Sequence, residues 1–170
     1  MKTVIRFAPQ HPTLRFAAQE LARYLRLATG TTLPIVADDR LDGKEAVLRL
    51  CLEGAAGSPA DFTADDRFSI EPEGRGYRLC GSNPRSVLFA VYRYLRELGF
   101  RWLRPGARGE IVPKLTAPIR QGIRIRAAPD CRYRTICIEG AASREHVIDL
   151  IDWQAKQGMN GYFIQFEYGT

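Results

Sequence analysis

Two glutamates, Glu139 and Glu167, each close a run rich in β-branched and aromatic residues, and Tyr168 follows the second. Carboxylates at the ends of parallel strands are well placed for acid–base work, because sites in such architectures collect at the C-terminal ends of the strands. Arg134, in the first run, offers a rigid fork of donors. Each has a plainer alternative: solvated strand ends for the glutamates, and for Arg134 an internal ion pair with Glu139 or Glu167. His11 and His146 each stand at a helix start with no partner in sequence, so neither a metal site nor a Ser-His-Asp arrangement is expected. Ser143 with His146 reads as helix capping. Gly81-Ser-Asn-Pro-Arg85 could cradle a phosphate on free N–H groups, but it lacks the Gly-x-x-x-x-Gly-Lys spacing and reads as a helix cap. No cofactor is implied.

The elements that must position these groups follow from periodicity. Lys2 to Ala8 alternates as a strand, and Pro12 opens a helix with Leu14, Ala17, Ala18, Leu21, Leu25 and Ala28 on one face, closed by Gly30. Leu33 to Ala37 and Ala46 to Leu52 are strands. Gly54 to Ala60 is a loop by composition, and Phe68–Pro72 and Gly76–Cys80 form a hairpin around Glu73-Gly-Arg-Gly76. A second helix begins at Asn83-Pro84, carries Val87, Leu88, Val91, Tyr94, Leu95 and Leu98 on its apolar stripe, and ends at Gly99. Helices apolar on one stripe only, alternating with strands, describe an α+β fold: a two-layer mixed sheet with helices on one face.

Three short extended pieces, Phe100–Leu103, Glu110–Pro113 and Gly122–Arg126, then carry the chain to a boundary near Ala127-Ala128-Pro129. Beyond it come a strand over Arg132–Ile138, a helix capped by Ser143 and running through Gln157, and a closing strand over Tyr162–Tyr168. Strand, helix, strand in this order makes a right-handed parallel unit, the repeating piece of a (β/α)8 barrel or a doubly wound sheet. Such a pair needs further strands beside it and helices over its faces. The expected domains are therefore 1–127, an accessory unit, and 128–170, an incomplete β-α-β start of a barrel.

With 170 residues, 45% hydrophobic and 26% charged, the chain has the make-up of a soluble globular protein. No apolar run suits a membrane span or a signal peptide, so no membrane partner and a cytoplasmic location are expected. The net charge of +6 and pI near 9.4 come from arginines spread along the chain. Their dispersal reads as a solvated surface rather than a nucleic-acid footprint. Cys51, Cys80, Cys131 and Cys137 stand singly, without zinc-ligand spacing, and are expected as buried free thiols in a reducing compartment.

Three stretches together resemble the accessory domain that precedes the catalytic barrel in glycoside hydrolases such as α-glucuronidases and β-hexosaminidases. They are Ala17–Leu25 with Thr29–Ile35, then Gly76–Asn83 with Leu88–Leu95 and Leu98–Pro105, and Arg132–Thr135 with Trp153–Asn160. The resemblance covers nearly the whole chain. It departs from the hexosaminidases at the first barrel strand, where they carry an Asp and a second Arg and this chain has Ile138-Glu-Gly-Ala-Ala-Ser143. That departure points toward the α-glucuronidases.

The resemblance implies a non-catalytic domain supporting a barrel whose other strands would supply the catalytic carboxylates, so no turnover is expected from these residues alone. It implies that Arg134 holds sugar hydroxyls, with Glu139 and Glu167 beside it at the barrel mouth. A carbohydrate substrate would be met through that barrel. Trp102 and Trp153 could stack on a sugar ring, although Trp102 beside Phe100 and Leu103 suits a domain interface better. Two rival readings are a stand-alone carbohydrate- or protein-binding module and a basic nucleic-acid-binding domain. Unpaired strand edges in the last segment lead to an expectation of either self-association or poor order after Pro129.

Overall fold

The computed structural model describes residues 2–9, 11–38, 40, 45–53, 65–139 and 143–165. Strand β1 (Thr3–Phe7) leads into helix α1 (Pro12–Thr29), followed by β2 (Ile35–Val36) and β3 (Ala46–Leu52). The hairpin β4 (Phe68–Glu73) and β5 (Gly76–Gly81) precedes helix α2 (Pro84–Glu97). Short strands β6 (Arg101–Trp102), β7 (Glu110–Ile111) and β8 (Ile125–Ala127) come next, then β9 (Thr135–Glu139), α3 (Arg144–Lys156) and β10 (Gly161–Gln165).

The main sheet has six strands in the order β2-β1-β3-β5-β4-β8. Within it β2, β1, β3 and β5 run parallel, while β4 pairs antiparallel with both of its neighbours. The α+β fold class expected from periodicity is therefore observed as a mixed sheet under helices. Alternation decides what each face does. Ile5, Leu48, Leu50, Ile70, Tyr77 and Leu79 point to one side and pack with Leu14, Leu21 and Leu25 of α1 and Val87, Val91 and Leu95 of α2 in a single buried core. On the opposite side, register sets Arg6 beside Arg49 and Arg49 beside Arg78. These arginines meet glutamates: Arg6 with Glu45 at 3.4 Å, Arg49 with Glu73 at 2.5 Å, and Arg78 with Glu71 at 3.0 Å.

Both long helices begin and end where local chemistry requires. Pro12 occupies the first turn of α1, and Gly30 closes it with φ 71°, donating its N–H to Arg26 O at 2.8 Å. At α2, Asn83 Oδ1 accepts from Ser86 N at 2.9 Å while Asn83 N donates to Ser86 Oγ at 3.0 Å, a reciprocal capping box. Gly81 is tied to this box, since a Cβ there would lie 2.3 Å from Ser86 Oγ.

Two expectations change. Gly122–Arg126, read as part of a crossing segment, contributes to β8, which completes the sheet's edge against β4. Cys51 and Cys80 are not free thiols: β3 and β5 place them directly opposite each other, 4.6 Å apart at Cα, and they form a disulfide on the sheet face away from the helices. Cys131 and Cys137 are free but exposed rather than buried. The reducing compartment inferred from buried thiols loses that support.

The last elements form their own parallel pair, with Thr135 opposite Gly161 and Glu139 opposite Gln165. Helix α3 connects them, capped by Ser143 Oγ accepting from His146 N at 3.1 Å. Among the described residues, β9 and β10 pair with no other strand.

Candidate functional site

The densest polar chemistry lies on the seam where the strand–helix–strand unit meets the mixed sheet and its helices. Its first centre is Asp66, in the segment just before β4, with a side chain only 1% exposed. One oxygen, Oδ1, accepts from Asn83 Nδ2 at 3.0 Å and from Arg85 Nε at 2.9 Å. The other, Oδ2, accepts from Arg134 Nη2 at 2.6 Å and from Asn160 Nδ2 at 3.1 Å. Burial alone would raise this carboxyl's pKa, but hydrogen bonds from Asn83, Arg134 and Arg85 outweigh it and hold Asp66 below the usual carboxylate range. One buried anion thus ties the first turn of α2 to the N-terminal ends of both β9 and β10.

Arg134 is committed to protein acceptors. Besides Asp66, it donates from Nε to Gly158 O at 2.7 Å and from Nη1 to Cys131 O at 2.8 Å. It precedes the first residue of β9, whereas Glu139 ends that strand, so the two lie at opposite ends of β9. In a barrel, the Arg134 end corresponds to the face away from the active site. Glu139 is placed by its backbone alone, and Glu167 and Tyr168 lie outside the described residues. The acid that pairs with Arg134 is Asp66, whose position 68 residues upstream gives no spacing signal.

A second centre surrounds Lys156, whose side chain is 2% exposed. Its Nζ donates to Glu110 Oε1 at 3.0 Å and to Asp152, and it stands 5.4 Å from the centroid of the Tyr24 ring and 5.9 Å from that of Trp102. Tyr24 donates to Glu110 Oε1 at 2.5 Å and accepts from Trp102 Nε1 at 3.1 Å. Desolvation and the bond to Glu110 push the Tyr24 phenol up to about 12. For Lys156, desolvation opposes the charge, but Asp152 and Tyr24 outweigh it and raise the ammonium's pKa. Glu110 is also desolvated, yet Tyr24 and Lys156 lower its pKa on balance.

Trp102 fills this junction, buried against Tyr24, Tyr92 and Phe100. Its carbonyl accepts from Trp153 Nε1 at 2.9 Å and Gln157 Nε2 at 2.8 Å, so both tryptophans serve the seam. Every charge in these two centres is compensated, which suits a fixed interface better than acid–base turnover. No group of metal-ligating residues occurs among those described, and no described helix is long and apolar enough to cross a membrane.

Comparison with known proteins adds to this geometry. No protein-family model matches the sequence, and no curated protein matches it. Solved structures do. A GH138 enzyme targeting pectin rhamnogalacturonan II superposes with a TM-score of 0.67 at 14% identity, covering 99% of this chain and 19% of that one. The GH20 β-N-acetylhexosaminidase from Streptomyces coelicolor A3(2) gives 0.60 at 22% identity, covering 95% and 30%. BtGH115A, a GH115 4-O-methyl-α-glucuronidase with specificity for decorated arabinogalactans, gives 0.63 at 14%, covering 95% and 25%. The chain shares the fold of the N-terminal region of these glycoside hydrolases over nearly its whole length, and spans less than a third of each of them. At these identities the likeness is one of fold.

Proposed function

We propose that this chain is the non-catalytic accessory domain, with the first strand–helix–strand of the catalytic barrel, of a carbohydrate-active glycoside hydrolase of the α-glucuronidase kind. The observation that carries the reading is the parallel β9–β10 pair, which among the described residues has no further strand beside it. Its helix α3 leaves Ile148 50% and Ile151 45% exposed, and Phe163 of β10 is 53% exposed. A two-stranded parallel sheet with one helix is not a self-sufficient layer, and apolar surface of this kind is what neighbouring strands and helices of a barrel would cover. The accessory domain's part is mechanical: through Asp66 and Glu110 it holds the start of the barrel in place. The carbohydrate would be bound and cleaved by carboxylates on later strands.

The pairing of Arg6, Arg49 and Arg78 with glutamates speaks against the nucleic-acid alternative, because their charges are already neutralised on the sheet face. Sequencing the gene downstream of Thr170 tests the proposal. About six further strand–helix repeats with carboxylates at strand ends are expected, since a barrel of this type has eight. A stop codon at that point, or a different fold, would sink it.

A further inference from the structure

Between the Asp66 and Lys156 centres runs a cleft of about 210 Å³ whose lining includes Arg93, Arg96, Arg134, Lys156, Phe89 and Pro129. We infer that this cleft is a binding site for a small carboxylate carried on a six-membered ring. Three of its four cations are already compensated: Arg134 by Asp66, Lys156 by Glu110 and Asp152, and Arg93 by Glu97 at 2.7 Å. Arg96 is different. Its Nη2 donates to Lys156 O at 3.0 Å and to Gln157 Oε1, both neutral acceptors. Among the described residues no carboxylate reaches it, and its Nε and Nη1 have no acceptor.

The charges around Arg96 make this imbalance worse. Besides its partial burial, Arg101 and Arg93 act on it with the same sign. A partly desolvated guanidinium without a counter-charge is costly, and an oxyanion supplies the missing compensation with charge-assisted hydrogen bonds. The remainder of the lining fixes the ligand's body. Phe89 and Pro129 offer apolar contact, and the Arg134 guanidinium lies 5.7 Å from the Phe89 ring centroid, which rigidifies that wall. The cleft is smaller than the roughly 300–1,000 Å³ of pockets for drug-sized ligands, so one ring is the size that fits.

Ring and carboxylate together could come from a sugar acid or an aromatic acid, and titration of the intact chain separates them. The probes are D-glucuronate and benzoate, with D-glucose and acetate as controls for ring alone and charge alone. Saturable binding of at least one ring carboxylate is expected, stronger than either control and weakened by salt. Arg96→Gln should lower that affinity about tenfold or more. Because Arg96 also touches α3, Arg93→Gln is the second variant: Arg93 is exposed and bonded within its own helix, and its loss should weaken binding several-fold without unfolding the protein. No saturable binding of either ring carboxylate overturns the site. So does equal binding of glucose and glucuronate, or affinity unchanged in Arg93→Gln and in any folded Arg96→Gln protein. The assay reads this chain by itself, so its failure leaves the glycoside hydrolase reading untouched.

Discussion

Asp66 shows how much a single buried charge can control when several donors converge on it. Arg85 and Arg134 keep only 21% and 20% of their side chains exposed, so removing the carboxylate leaves two half-buried cations facing one another's field. Asp66→Ala should destabilise the chain by about 3 kcal/mol, the low end for breaking a buried pair because both cations retain some solvent. Urea unfolding at neutral pH measures it. The folded-state pKa of Asp66 is depressed, so its contribution is present above the unfolded value of about 4 and is lost as pH falls below that. Wild type should therefore lose stability on acidification more steeply than Asp66→Asn. Tyr24 works in the opposite direction. With its phenol pushed up to about 12, its contribution is intact below the unfolded value near 10 and disappears as pH rises toward 12. Tyr24→Phe should cost about 1–2 kcal/mol near neutrality and flatten that alkaline loss, as read from unfolding midpoints between about pH 8 and 11.

At the scale of elements, legibility followed the range over which each signal acts. The α2 start could be read because Asn83 and Pro84 act within one turn, and the Gly30 stop because a left-handed cap is local. The second use of Asn83 was hidden: the same side chain that caps α2 through Oδ1 donates through Nδ2 to Asp66, 17 residues earlier. The Asp66 centre escaped for the same reason, since Asn160 reaches it across 94 residues of sequence. Cys51 and Cys80 read as unrelated thiols because only the parallel register of β3 and β5 brings them together. Reduction of that bond should lower stability by about 2–4 kcal/mol, and alkylation without reductant should label Cys131 and Cys137 but neither Cys51 nor Cys80. Gly76 makes a sharper test of the same register. A Cβ there would stand 1.9 Å from the Val47 carbonyl oxygen, and neither backbone can yield without opening the β3–β5 ladder. Gly76→Ala should cost about 3 kcal/mol or fail to fold, as judged by thermal unfolding.

For the molecule as a whole, the seam and the outer surface of the last unit make opposite demands. On the seam every buried charge of the two centres has its partner, so β9, α3 and β10 are held against the mixed sheet by Asp66, Lys156 and Trp102 together. Away from the seam, Tyr133 is 73% exposed, and Ile148 and Ile151 stand three residues apart on the exposed side of α3. Water-exposed apolar side chains beside a parallel strand pair whose outer edges are open among the described residues favour association with another surface. The intact chain is therefore expected to self-associate reversibly as concentration rises. Ile148→Glu with Ile151→Glu should return it to a monomer without loss of stability, because neither side chain belongs to the core. Sedimentation velocity over a range of concentrations distinguishes the outcomes. A wild-type chain that stays monomeric throughout would show that this surface is inert in water, and would remove the exposed Ile148, Ile151 and Phe163 as support for a barrel start.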